Sequence, residues 1–374
     1  MNGLGPVLPA TTLSWFPLVG GRQRPPGLPL QTRIAELADL AAGPARGTSH
    51  ERASWAAEVC NKAALIASDC GVPPLARALC YRQYELYEQA DPLPGWAIKL
   101  ALQPILNIPR QLIREGDGQA AYATLETLLR SAKERTSAVI GARTVDLNAI
   151  TRTAGNHKTV VTLVWAALLS DGTRALALAG RWQEAADHAA EHRGVGRQLL
   201  DGRQAAILAH IHQGSIDEAA AMVEHSTIVA PWEHTVQSLL RVLCLPAPAA
   251  VDHHRATMLA AARALAQEHD PLTAVMRTRA GMIALELAAD FEDSQVSELR
   301  ESVLAAASRD AYAARDVLAH PQIRAFMTDE RHRDFDSLVR SCGFGTGTIP
   351  PELHGQLTTA VERAESALRA ALGG

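Results

Sequence analysis

From Gln31 onward, apolar residues recur along the chain with the spacing of α-helices. In the stretch that begins near Glu51, for example, Trp55, Val59 and Ile66 fall on one face of a helix with about 3.6 residues per turn. Short runs rich in proline and glycine interrupt this spacing, as helix boundaries require. The alternation of apolar and polar residues that marks a half-buried strand extends over no useful length. The pattern therefore predicts an all-α protein.

The N-terminal part of the chain, residues 1–30, differs from the rest. It is rich in proline and glycine, in runs such as RQRPPGLPLQ, and shows no helical spacing of apolar residues. We expect residues 1–30 to form an extended, proline-rich arm rather than a folded unit. Trp15 and Phe16 lie within it, and we expect this pair to pack across the body of the protein or a neighbouring subunit.

Two stretches of the helical region resemble each other: LALAGRWQEAADHAAEHRG, residues 176–194, and LAHIHQGSIDEAAAMVEHS, residues 208–226. In each, a glycine (Gly180 or Gly214) separates two apolar stretches, and a Glu-Ala pair follows four and five residues later. The spacing of the two glycines gives a repeat period of about 34 residues. A third copy contains Gly116, which precedes Gly180 by close to two such periods.

A repeat of this period with a helix–turn–helix pattern resembles the tetratricopeptide repeat family. The resemblance covers roughly residues 102–226 and implies antiparallel helix pairs stacked into an array, an α-solenoid. The glycine supplies the tight turn, and the small alanine lets paired helices approach closely. Leu112, Leu176 and His210 stand where the family usually has tyrosine, so the repeats are degenerate. The alanine-rich composition is also similar to that of actinobacterial regulators and accessory proteins.

These patterns divide the chain into four parts. Residues 1–30 form the arm, residues 31–341 the helical-repeat body, residues 342–350 a glycine-rich linker, and residues 351–374 a helix that we expect to cap the array. Within the body, residues 132–157 are polar and lack a helical stripe, which predicts an irregular insertion.

Composition and charge narrow the classes of function. A net charge of −4 without a basic cluster argues against a nucleic-acid partner. No window offers about 20 uninterrupted apolar residues, so we expect no membrane span. The five cysteines are widely spaced and form no CxxC pair, which predicts buried thiols in a reducing compartment and hence a cytoplasmic protein. The GFGTG run lacks the strand and the Lys-Ser/Thr of a phosphate-binding loop, and we predict no cofactor.

One motif matches a metal site in its residue order. HAAEH places His188, Glu191 and His192 in the H-x-x-E-H order of the inverted zinc peptidases, and histidines four apart share a helix face. The repeat pattern already accounts for these residues, and the strands of the peptidase fold are missing. We therefore interpret them as a solvated helix face and predict no metal site.

The insertion holds the candidate site. Polar residues are dense there although the repeat does not require them: Arg143, Asp146, Asn148, Arg152, Asn156, His157 and Lys158. Arginine guanidinium groups suit bidentate recognition of a carboxylate or phosphate. His157 is the one catalytic candidate, as a general acid or base near neutral pH. The alternatives are that Asn156 caps the following apolar helix and that the charges of a solvated loop pair with each other.

Two functions follow from these features. The resemblance implies a groove that binds a protein or peptide, and therefore a scaffold that acts as an accessory or regulatory partner, within a hetero-oligomeric complex. The alternative is a catalytic or activating component of a multi-protein peptide-tailoring complex, for example one for lanthipeptide-type cyclisation, with the insertion as its pocket. The sequence offers no nucleophile–base pair, so we favour the scaffold and do not expect an enzyme on its own.

Overall fold

A computed structural model describes residues 13, 15–20, 24–43, 47–90, 93–245, 251–289 and 294–373 of the chain. Helices dominate the described residues, and the sheet found among them has two short strands. The predicted all-α class is confirmed.

The chain is divided into two compact units. We call Met1–Leu28 together with Leu176–Ser341 the arm unit, and Pro29–Ala175 together with Cys342–Gly374 the hairpin unit. Each unit contains its own cluster of buried apolar side chains. The boundary between Ala175 and Leu176 falls within residues 31–341, the predicted body, and residues 342–374 belong to the same unit as residues 29–175.

The hairpin unit consists of helices and a β-hairpin. Its helices are α1 (Leu30–Ala42), α2 (Ser49–Asp69), α3 (Pro73–Glu88), α4 (Ile98–Arg114), α5 (Gly118–Glu134), α6 (Leu147–Ile150), α7 (Ala154–Ala167) and, near the C-terminus, α19 (Pro351–Leu372). The hairpin pairs β1 (Ser137–Ile140) with β2 (Arg143–Asp146) in antiparallel register, Ser137 opposite Asp146. A 3-10 turn (Gly95–Ala97) precedes α4, and a π-helical turn (Leu168–Gly172) follows α7.

Local signals explain where several of these helices begin. Thr48 caps α2 in a capping box with Glu51, so that each side chain satisfies a main-chain N–H group of the other residue. The carboxylate of Asp117 accepts the Ala120 N–H group at the start of α5. Proline occupies the first turn of α3 and of α19, where a missing N–H group leaves no hydrogen bond unmade.

Helix α19 is part of the core of the hairpin unit. It packs mainly along α2 and also contacts α1 and α3, burying Leu357 and Leu368. The predicted linker before it is ordered, since the N–H groups of Gly345 and Gly347 donate to the carbonyls of Asp69 and Cys70 at 2.9 and 2.8 Å. The helix that we expected to cap an array therefore packs among helices from the first quarter of the chain.

The arm unit is helical throughout its regular part. Its helices are α9 (Trp182–Glu191), α10 (Asp201–His212), α11 (Ile216–Glu224), α12 (Pro231–Leu243), α13 (Val251–Ala266), α14 (Ala274–Leu287), α15 (Ser294–Ala307), α16 (Ala311–Ala319), α17 (Pro321–Ala325) and α18 (Asp329–Ser341). Helix α8 (Thr173–Leu178) precedes them, and a 3-10 turn (Pro271–Thr273) lies before α14. Helices that follow one another in sequence contact each other along most of this series.

The three repeat glycines share one local structure. Gly116, Gly180 and Gly214 have φ angles of 85°, 72° and 79°, in the left-handed region that favours glycine. In each turn the glycine N–H group donates to the carbonyl three residues earlier, and the next N–H group donates to the carbonyl five residues earlier. This is the Schellman arrangement, which satisfies carbonyls left open at a helix end. The alanine five residues after each glycine is fully buried: Ala121, Ala185 and Ala219. The predicted glycine turn is confirmed at all three sites.

One helical stretch, Ala154–Leu178, is long and apolar enough to cross a membrane by length and composition. Its most apolar window has a mean hydropathy of 1.3, and 56% of that window is buried inside the protein. A core helix of a soluble protein meets the same criteria. That the chain does not enter a membrane stays a prediction.

Candidate functional site

The predicted irregular insertion forms the β-hairpin, α6 and the start of α7. Its apolar residues Ile140, Val145 and Leu147 are buried in the core of the hairpin unit. Tyr81 of α3 donates its hydroxyl hydrogen to the Ile140 carbonyl at 2.8 Å, which ties the hairpin to that helix. The strands were missed because such short segments, with two buried side chains in β1 and one in β2, carry little periodic signal.

Three of the predicted site residues lie on or just after the hairpin. Arg143 pairs with Glu85 at 2.6 Å, and both side chains are about half exposed. The carboxylate of Asp146 accepts the Asn148 N–H group at 2.9 Å and caps α6. The Asp146 N–H group in turn donates to Glu88 at 3.1 Å, and burial raises the pKa of the Glu88 carboxyl. The polar groups of residues 143–148 thus form an ion pair and hydrogen bonds with neighbouring parts of the hairpin unit.

The other predicted residues lie at the start of α7. Thr153, and not Asn156, caps this helix, because the Thr153 hydroxyl accepts the Asn156 N–H group at 3.1 Å. The predicted Asn156 cap is therefore wrong by three residues. The Nε2 atom of His157 donates to the carbonyls of Ala132 and Lys133 at 3.1 and 3.3 Å. These carbonyls belong to the last turn of α5, so His157 closes a helix end.

The side chains of Arg152 and Lys158 are exposed. The seven predicted residues therefore divide between the hairpin with α6 and the first turn of α7 with its preceding loop. Arg143 forms an ion pair, and Asp146 and His157 form hydrogen bonds with main-chain groups at helix ends. These contacts do not direct the three side chains towards a common point.

The HAAEH histidines lie at the end of α9. His188 and His192 are in edge-to-face contact, with ring centroids 4.6 Å apart. His188 is only 4% exposed, which corrects the prediction that both histidines lie on a solvated face. Within the described residues, no three His, Cys, Asp or Glu side chains are grouped so that they could hold a metal ion.

A different site lies in the arm unit, where residues 15–20 contact helix α10. Gln204 of α10 is fully buried and binds the main chain of Leu18 through both of its amide atoms. Its Oε1 accepts the Leu18 N–H group at 2.8 Å, and its Nε2 donates to the Leu18 carbonyl at 2.6 Å. The second Nε2 hydrogen goes to the Leu199 carbonyl at 2.7 Å. Gln204 thus recognises a peptide backbone and uses both hydrogens of its amide.

Apolar contacts accompany this backbone recognition. Phe16 and Leu18 are 4% and 2% exposed and belong to the main apolar cluster of the arm unit. Two residues further on, Gly20 lies against the indole ring of Trp232 on α12. Phe16, Leu18 and Gly20 therefore all contact the helices of the arm unit.

The same N-terminal segment makes specific contacts further along. The guanidinium group of Arg24 lies 3.3 Å from the ring centroid of Tyr312, close enough for a cation–π interaction. The Gly27 N–H group donates to Asp310 at 2.8 Å, and the Gly27 carbonyl accepts the Ala311 N–H group at 3.1 Å. Asp310 is 3% exposed and also caps α16. We call the surface of the arm unit that contacts residues 15–20 and 24–28 the segment groove.

Ionisable side chains line the part of the groove next to Trp15. His320 and Glu286 lie 3.0 Å apart, Nε2 to Oε1, with side chains 1% and 5% exposed. The Trp15 ring stacks on His320 at a centroid distance of 6.5 Å and an interplanar angle of 16°. Arg279, which pairs with Asp316 at 2.7 Å, has its guanidinium 5.1 Å from the Trp15 ring centroid.

The far end of the groove opens into a cleft of about 460 Å³ beside Pro26 and Asp310. Arg277 lines this cleft and is 4% exposed. Its guanidinium donates to the carbonyls of Ala266 and Asp270 at 3.1 and 2.9 Å, and also to that of Glu268. Burial lowers the pKa of this guanidinium. Arg277 therefore holds the chain that leaves α13 in place.

Sequence reasoning missed Gln204, although one signal was present. Gln204 precedes Leu208 and Ile211 by one and two helical turns, so it lies on their buried face. A buried polar side chain requires an internal partner. The partner, Leu18, is 186 positions earlier, where no local pattern identifies it.

Comparison of the chain with models of protein families, with curated proteins and with solved structures finds no match.

Proposed function

We propose that the chain is a protein- or peptide-binding helical-repeat scaffold, and that the segment groove is its binding site. In this proposal the helices form a degenerate, tetratricopeptide-like array of antiparallel pairs, and residues 1–30 are a proline-rich arm. The three equivalent glycine turns, two of them one repeat period apart, support the array.

The observation that carries the proposal is the contact of Gln204 with both main-chain polar groups of Leu18. A side-chain amide that binds both the N–H and the carbonyl of one residue recognises any extended peptide at that position. Neighbouring apolar pockets then select side chains, as the aromatic Phe16 and the aliphatic Leu18 illustrate. Backbone hydrogen bonds that supply affinity and pockets that supply selectivity are the general means of peptide recognition.

The proposed partners are therefore other proteins or peptides in the cytoplasm, within a hetero-oligomeric complex. The described residues give no support to the alternative of a peptide-tailoring component. Arg143 forms an ion pair with Glu85, and Asp146 and His157 form hydrogen bonds at helix ends.

Peptide selection on the full-length chain tests the proposal. Random peptides are displayed and selected on the Phe16→Ala variant, whose own segment lacks a buried aromatic side chain and competes less for the groove. Their affinity is then measured after Gln204→Leu is added to that variant. We expect a loss of about tenfold or more, because the buried hydrogen bonds to the peptide backbone disappear. Gln213→Leu is the matched control, since Gln213 is an exposed glutamine just after the same helix. Selected peptides that bind Phe16→Ala equally well with and without Gln204→Leu contradict the proposal, as does failure to select any peptide on Phe16→Ala.

A further inference from the structure

We propose that residues 15–20 and 24–27 are a resident ligand of the segment groove, and that the external ligand is an extended peptide with the same pattern. This inference rests on the proposed function and adds the chemical class of the peptide. Numbered from the residue bound by Gln204, the pattern has an aromatic residue at −2, an aliphatic residue at 0, a small residue at +2, a cation at +6 and glycine at +9.

Each position of the pattern follows from a contact. The aromatic and aliphatic positions are those of Phe16 and Leu18, whose side chains are buried. The small residue corresponds to Gly20, because the Trp232 ring occupies the space of a side chain. The cation corresponds to Arg24 on the face of Tyr312.

Glycine at +9 is the most restrictive requirement. A Cβ atom at Gly27 would lie 2.9 Å from the main-chain nitrogens of both Ala311 and Tyr312. Those atoms belong to the first turn of α16, which Asp310 caps, and so they cannot move aside as a flexible side chain could. A larger residue therefore weakens the contact at this end of the segment.

The segment fills the groove imperfectly, as an exchangeable occupant does. The indole Nε1 of Trp15 is buried without a hydrogen-bond partner among the described residues. A buried donor without an acceptor opposes docking. A ligand that presents an oxygen at this point, or lacks the indole N–H group, avoids the penalty.

Covalent attachment compensates for this defect. A tethered segment competes at an effective concentration that reaches the millimolar range for short flexible connections. An external peptide of the same pattern therefore binds the wild-type chain weakly, and binds better once the resident segment is loosened by substitution.

The test uses the full-length chain and a fluorescent peptide with the sequence of residues 13–28, LSWFPLVGGRQRPPGL, in a fluorescence anisotropy titration. Two variants loosen the resident segment: Gly27→Ala, through the main-chain clash, and Phe16→Ala, which empties an aromatic pocket that the added peptide refills. We expect both to bind the peptide about tenfold or more tightly than wild type. Adding Gln204→Leu to either variant abolishes the gain.

A second peptide isolates the backbone contact. N-methylation of its Leu18 amide removes the hydrogen that Gln204 accepts and leaves the side chains unchanged. We expect a loss of about tenfold or more in affinity for Gly27→Ala and Phe16→Ala.

The inference is overturned if neither loosened variant, with wild-type helicity by circular dichroism, binds the peptide more tightly than the wild-type chain. It is also overturned if N-methylation has no effect on the affinity. If the loosened variants bind randomly selected peptides in a Gln204-dependent manner but ignore this one, the proposed function stands and the resident-ligand inference fails. If they bind neither, both fail.

Discussion

Replacement of Gln204 by leucine is expected to release the N-terminal segment from its groove. The substitution keeps most of the side-chain volume and removes three hydrogen bonds, to the N–H and carbonyl groups of Leu18 and to the carbonyl of Leu199. A buried polar group left without a partner costs about 1–3 kcal/mol. A docked segment in the variant would therefore carry an unfavourable term of about 2–6 kcal/mol from Leu18 alone.

The opposing term is the burial of apolar side chains. Phe16 and Leu18 are nearly fully buried, and each contributes about 1.5–3 kcal/mol relative to exposure, or about 3–6 kcal/mol together. The two ranges overlap almost completely, so the variant should populate the released state substantially. Release of the segment also limits the loss in the free energy of unfolding, because water then forms hydrogen bonds with the N–H and carbonyl groups of Leu18.

Hydrogen exchange measured by mass spectrometry checks this prediction. Peptides that contain residues 13–20 should exchange much faster in Gln204→Leu than in wild type or in Gln213→Leu. Chymotryptic cleavage after Leu18 should be faster as well, while helicity stays unchanged. Unaltered protection of the segment in Gln204→Leu would falsify the reasoning, because it would show that apolar contacts alone hold the segment.

Four further predictions concern other parts of the fold. Arg277→Lys should lower the thermal midpoint by an amount equivalent to about 2–4 kcal/mol, because the buried guanidinium donates to several carbonyls and an ammonium group offers fewer donors. Arg309→Lys, at an exposed position, is the control and should have little effect. Equal melting curves for the two variants would refute the prediction. Tyr84→Phe should destabilise by about 1 kcal/mol in a denaturant melt through loss of its 2.7 Å hydrogen bond to the Asp146 carbonyl, and an unchanged midpoint counts against that bond. Burial raises the pKa of the Cys60, Cys80 and Cys244 thiols to about 12 and that of Cys70 to about 11, so these thiols should not react with iodoacetamide at neutral pH unless the chain is denatured. Thiols of the unfolded chain ionise near pH 9, whereas those of the folded protein stay protonated. The free energy of unfolding should therefore be independent of these thiols below pH 9 and should fall above it by about 1.4 kcal/mol per pH unit per thiol. A free energy of unfolding that stays constant between about pH 9 and 10 contradicts this.

The predicted site residues illustrate a limit of reading polar density in a sequence. Asp146 and His157 occur in a polar stretch because helix ends there need an acceptor at one end and a donor at the other. Such residues look the same in a sequence as residues that await a ligand. Their main-chain partners, Asn148 for Asp146 and Ala132 for His157, became evident only from the structure.

The repeat glycines show what the sequence determined by itself. Gly116, Gly180 and Gly214 could be assigned to helix–turn–helix units because a Schellman turn involves only the residues within five positions of the glycine. Interactions between residues so close in sequence can be recognised from the amino-acid sequence alone. The all-α class is likewise local, because it follows from the helical spacing of apolar residues.

Other features were decided by the tertiary structure alone. The contact between Gln204 and Leu18 joins residues 186 positions apart, and α19, near the C-terminus, packs along α2 from the first quarter of the chain. Such contacts depend on the burial of surfaces that the whole fold creates, because a buried amide is satisfied by whichever main-chain group the packing brings to it. The identity of each helix is thus local information, whereas the groove and its occupant exist only once distant parts of the chain have come together.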